Sequence, residues 1–135
     1  MKQINVTYAS GEKVAYAAGV KAADVIGGLG PLAWPLAALL VNNELTSLDS
    51  QLFVDCSVLP VTLDTTQGAM TYRRSLCLLL AIAARELFPA RRIVAGMAIG
   101  AGFYHFFADD KPVGEAERGA LENKMRDLVI RDIAI

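Results

Sequence analysis

The sequence lacks any apolar run of the roughly 18 residues that a membrane-spanning helix requires. Its longest candidate, Leu36 to Val41, is the length of a strand. It has only two cysteines, Cys56 and Cys77. That is too few for a disulfide framework, and it predicts a cytoplasmic protein with reduced thiols. Charge of one sign is not in excess: 13 Lys and Arg face 14 Asp and Glu, a formal net charge of −1. This excludes a strongly basic nucleic-acid binder and an acidic disordered tail. The opening Met1-Lys2-Gln3-Ile4-Asn5 alternates polar and apolar residues and has no signal-peptide core. A G-x-x-x-x-G-K-[ST] phosphate loop is absent. The stretch Gly96 to Gly102 has the glycines but neither the lysine nor the hydroxyl, and reads as a turn between strands. There is no internal repeat and no low-complexity tract.

What is present is a chain of 135 residues with 54% hydrophobic and 20% charged residues. Such a chain can bury a core, as one ordinary domain or two small ones. The halves differ in charge. Residues 1–65 hold three Lys and six acids, whereas residues 66–135 hold ten Lys and Arg and eight acids. The punctuation at Asp64-Thr65-Thr66-Gln67-Gly68 places a domain boundary between residues 65 and 66.

Lys2 to Tyr8 alternates, with Ile4, Val6 and Tyr8 on one face, which is the period of a half-buried strand. A turn at Ser10-Gly11-Glu12 leads to a partner strand over Lys13 to Ala17. One short helix is expected over Val20 to Leu29, weakened at its end by Gly27-Gly28. Strands are expected at Leu36 to Asn42, Leu52 to Val54 and Val58 to Leu63. Trp34, between prolines, reads either as a cover for the end of this core or as a docking anchor. The second half reads as helix, two strands, helix. Tyr72, Leu76, Leu79, Leu80, Ala83 and Leu87 mark the buried stripe of the first helix, with Gln67 or Thr71 as its cap. Arg91 to Ile99 and Phe103 to Ala108 are the strands. Glu115 to Asp132 is the second helix, its stripe Leu121, Met125, Leu128 and Val129.

Strand, strand, helix, strand, turn and strand in about 65 residues is a β-grasp order. "LVNNELTSLDSQL" followed by "CSVLPVTLDTTQG" resembles the TGS module of threonyl-tRNA synthetases, certain GTPases and stringent-response enzymes. "TYRRSLCLLLAIAARELFP" and "GAGFYHFFADDKPVGEAERGALENKMRDLV" resemble the second N-terminal domain of threonyl-tRNA synthetases, over residues 71–132. The expected fold class is therefore α+β, a β-grasp module (residues 1–65) followed by an α-β-β-α module (residues 66–135). In that family the first helix of the second module carries a His-x-x-x-His pair. The matching positions here are Arg74 and Leu78, and neither side chain can hold a metal. The resemblance therefore implies no metal site and no catalytic residue of that type.

The pairing of the two modules with "YRRSL" also resembles the N-terminal region of bacterial uridine-kinase-like proteins of the phosphoribulokinase/uridine kinase family. That resemblance implies a non-catalytic accessory or regulatory region that binds a nucleotide or RNA. Its partner would be a P-loop kinase domain beyond Ile135, and the ATP and Mg would belong to that domain. The apolar end, Val129 to Ile135, suggests a truncated chain. The alternatives are a synthetase-related editing hydrolase or N-terminal synthetase fragment, and a protein-interaction scaffold. The candidate ligand-binding residues are Tyr72, Arg73, Arg74, Tyr104 and His105, because arginines beside aromatics hold phosphates and bases. A competing reading pairs the arginines of this half, Arg91 and Arg92 included, with Asp109, Asp110 or Glu86. His105 reads as a structural histidine or a proton carrier.

Overall fold

The structure is a computed structural model that describes residues 1–135. It contains two compact units, Met1–Tyr72 and Arg73–Ile135.

The first unit is built on a five-stranded sheet. Its strands are β1 (Gln3–Tyr8), β2 (Lys13–Ala17), β4 (Leu36–Val41), β5 (Glu44–Thr46) and β7 (Cys56–Thr62), in the order β2-β1-β7-β4-β5. β1 and β7 are parallel and the other neighbours antiparallel. Two short strands, β3 (Val20–Lys21) and β6 (Gln51–Leu52), pair with each other. The alternation in β1 puts Ile4, Val6 and Tyr8 into the core with Leu39, Cys56 and Val58. The expected helix over Val20 to Leu29 is instead the two-residue β3 followed by a 3-10 segment, Ala22–Leu29. The glycines deny it helical propensity, and it keeps only Ala22 and Val25 buried. The Tyr8 hydroxyl donates to the Val25 carbonyl at 2.7 Å and lies 2.8 Å from the Tyr16 hydroxyl. Burial pushes the Tyr8 phenol well above its ordinary pKa.

Asn42 and Asn43, both at positive φ, make the tight turn between β4 and β5. Asparagine tolerates that region better than most residues. The Asn42 Oδ1 also accepts from the Ser57 amide at 2.9 Å, which ties the turn to β7. Pro60 sits inside β7, but the pairing with β1 ends at Val58. Its missing N–H thus falls where β7 has only β4 beside it. The strand expected over Leu52 to Val54 stops at Leu52, and Phe53 and Val54 are exposed. Trp34, read either as a cover for this core or as a docking anchor, is 56% exposed and is not among the residues packed against the core.

Helix α1 (Thr66–Leu87) begins earlier than its apolar stripe suggests. Its cap is neither Gln67 nor Thr71, both of which lie inside the helix. The Thr65 hydroxyl accepts from the Gly68 amide at 3.0 Å and donates to the Thr62 carbonyl at 2.7 Å. A Cβ on Gly68 would collide with that carbonyl, so the first turn requires glycine.

In the second unit, β8 (Ile93–Ile99) and β9 (Gly102–Phe107) form an antiparallel hairpin that carries helix α2 (Glu115–Ile130) after it. Ala95 pairs with His105 and Ala98 with Phe103, so Gly96 and Met97 together oppose Tyr104 in a β-bulge. The core is Leu79, Ala83 and Ala84 of α1, Phe107 of β9, and Leu121 and Leu128 of α2. Tyr72 and Leu76 are exposed, because the buried stripe of α1 is occupied only from Leu79 onward. Val129, expected in the α2 stripe, is 63% exposed. No helix is long and apolar enough to cross a membrane.

Candidate functional site

The candidate site begins with Arg91. The chain leaves α1 through Phe88 and Pro89, and the Arg91 amide bonds back to the Phe88 carbonyl. The Arg91 guanidinium then forks onto both oxygens of Asp109, at 2.6 and 3.1 Å. It also reaches Glu117 Oε1 at 3.1 Å and the Lys111 carbonyl at 3.2 Å. It lies 3.9 Å above the ring of the buried Phe107. Phe88 meets the same ring edge-on at 5.8 Å. This five-point clamp fixes the loop after β9. The Arg91 hydrogen bonds, joined by the Lys111 amide, hold the Asp109 carboxyl down to about 2. The other oxygen of Glu117 accepts from the Gly114 amide at 3.1 Å and so caps α2.

The clamped loop forms one wall of a groove of about 610 Å³. Its lining is Tyr104, His105, Phe106 and Phe107 on one side and Asp110 to Val113 on the other. Successive strand residues point to opposite faces. A hollow touching four in a row, and none of β8, lies against the outer edge of β9. Tyr104 and Phe106 stack with centroids 5.9 Å apart. The His105 Nδ1 lies 3.1 Å from the Phe103 carbonyl. A carbonyl only accepts, so Nδ1 carries the proton of this contact and Nε2 keeps a lone pair in the neutral ring. His105, Phe106, Phe107 and Val113 also line a second hollow, of about 230 Å³, with Leu80, Ile93, Leu121 and Met125.

Of the residues singled out from sequence, Tyr104 and His105 share the groove. Tyr72, Arg73 and Arg74 are exposed on α1 and line neither hollow. Arg74 and Leu78, at the positions of the family's histidine pair, both face solvent. Of the acids considered for the arginines, Asp109 is taken by Arg91 and Glu86 by Lys124 at 2.6 Å. Of the groove's other wall, the sequence points to Asp110 only as a partner for an arginine and gives no reading of Lys111 to Val113 as site residues. The one signal was the Asp109–Arg91 pairing, which folds this loop back along β9. No group of three or more His, Cys, Asp or Glu side chains is placed to hold a metal ion. Cys56 is buried, and burial pushes its thiol up, away from the reactive thiolate.

No protein-family model matches the chain. Individual proteins do. The threonine–tRNA ligase of Orientia tsutsugamushi (strain Ikeda) is 32% identical over 130 residues, 96% of this chain. That of Francisella tularensis subsp. novicida (strain U112) is 29% identical over 126 residues, 93% of the chain. That of Pelagibacter ubique is 38% identical over 93 residues, 69% of the chain. The chain spans about one fifth of the length of the first two and 15% of the third. These comparisons give no support to a uridine-kinase parent. The homologues of this chain are N-terminal regions of threonyl-tRNA synthetases, and its mixed α+β fold is in keeping with that module.

Proposed function

We propose that this chain is the N-terminal accessory region of a threonine–tRNA ligase-like protein, and that it acts by binding rather than by hydrolysis. The observation that carries the reading is similarity to threonine–tRNA ligases along 96% of the chain, combined with Arg74 and Leu78 where the resembling family has its histidine pair. A hydrolytic site needs a general base or a metal-bound water. The single histidine has no carboxylate partner to orient it, its Nδ1 contact being a backbone carbonyl, and no nucleophilic side chain is hydrogen-bonded to it. The open groove beside β9, with stacked aromatics and a fixed loop, suits contact with an extended ligand or chain segment better than an enclosed reaction.

Two measurements test the two halves of this reading. Incubated with mischarged threonine tRNA, the chain should release amino acid no faster than buffer does, with or without added zinc. Release above that background overturns the non-hydrolytic half. The source gene, read downstream of the codon for Ile135, should continue into a ligase. A stop codon there, or a P-loop kinase sequence, overturns the accessory-region half.

A further inference from the structure

We propose that the smaller hollow of the second unit, between β9 and helices α1 and α2, is a binding site for a small monocarboxylate with an apolar body. The walls are Leu80, Ile93, Phe107, Leu121 and Met125, which are aliphatic or aromatic and come from four different elements. Its volume of about 230 Å³ suits a ligand smaller than a typical drug. The polar groups at this apolar hollow are few and unequal. Glu122 lines it, but its carboxylate accepts from Arg126 at 2.7 Å and is held below the usual carboxylate range chiefly by that bond. Glu117, one position before Arg118, is taken by Arg91 and by the Gly114 amide. Arg118 lines the hollow, and its guanidinium makes no ion pair or hydrogen bond with the protein. His105 adds a ring nitrogen that Phe103 leaves unused.

Arg118 feels Glu122 only through space, whereas Glu122 is hydrogen-bonded to Arg126, so the charged group at the hollow with no hydrogen bond of its own is a single positive fork. A guanidinium fork matches the two oxygens of a carboxylate and binds them in parallel. A cationic ligand would meet Arg118 without an acid free to hold it. A neutral hydroxyl would offer the guanidinium one uncharged acceptor, a weaker bond than the two parallel ones of a carboxylate.

The test uses the intact chain, labelled with nitrogen-15, and three six-carbon probes of nearly one shape: hexanoate, hexan-1-ol and hexylammonium. Hexanoate should shift the amide resonances of residues 105–107 and 118–122 saturably, and the other two should not. Arg118→Gln should weaken hexanoate binding roughly tenfold, the loss expected for one charge-assisted contact, and Arg118→Lys should recover part of it. Arg118 is exposed, so these variants keep the wild-type spectrum elsewhere. The proposal falls if hexanoate gives no saturable shift. It also falls if hexan-1-ol or hexylammonium binds as tightly, or if Arg118→Gln leaves the affinity unchanged.

Discussion

A Cβ on Gly28 would collide with Tyr8 Cζ, at the hydroxyl end of the ring whose hydroxyl bonds the Val25 carbonyl in the core of the first unit. The ring cannot retreat, because it is buried among Ile4, Val6 and Val25 and tethered at its hydroxyl. Gly28→Ala should therefore destabilise the protein by about 1–3 kcal/mol, the usual penalty of overpacking, and thermal unfolding by circular dichroism reads it. The sequence showed Gly28 only as a helix weakener; the contact with Tyr8, twenty residues away, was hidden because it depends on the sheet. Asp109 gives a second prediction at this scale. Its carboxyl is held at about 2, below its ordinary 3.8, by Arg91. A depressed carboxyl stabilises the fold above its unfolded pKa and loses that contribution as pH falls toward the folded value. Stability should drop between about pH 4 and pH 2, and Asp109→Asn should be less stable at pH 7 and flatter across that window. Denaturant melts at pH 2, 3, 4 and 7 measure both.

At the scale of elements, periodicity found the strands and helices but misplaced their ends. The sheet strands β1, β2, β4 and β7 were legible because alternation and turn residues act locally. The start of α1 was not. Its first turn carries Gly68, Ala69 and Met70 rather than the apolar stripe, and the cap, Thr65, was read as part of a domain break. Thr65→Ala removes the acceptor for the Gly68 amide and should cost about 1 kcal/mol. Hydrogen exchange at Gly68 and Ala69 should accelerate while that of Leu79 to Ala84 stays slow; uniform acceleration along α1 counts against the capping role. The bulge at Gly96 and Met97 was equally hidden. Tyr104 and Phe106, two positions apart on β9, stack on one face as the period of a strand requires. Nothing in β8 announced that two of its residues would share one partner.

For the whole molecule, the α+β class was legible from element order and resemblance, whereas the candidate site was legible only in part. Tyr104 and His105 were visible as an aromatic strand, but the loop wall opposite them exists because Arg91 reaches across eighteen residues to Asp109. Pairings of that range leave no periodic trace. The side chains nowhere assemble three metal donors, so saturating zinc or a chelator should leave the unfolding midpoint within error of the untreated protein. A clear rise with zinc would reveal a donor set formed only on binding. The hairpin of the second unit has a further consequence. Its β9 strand, Gly-Phe-Tyr-His-Phe-Phe, has no proline and no permanently charged side chain, and nothing pairs along its outer side. Such a strand is a template on which an extended chain, including another unfolded copy, can grow. Survival on heating is then governed by the race between refolding and strand addition, so it falls with protein concentration and with time spent hot.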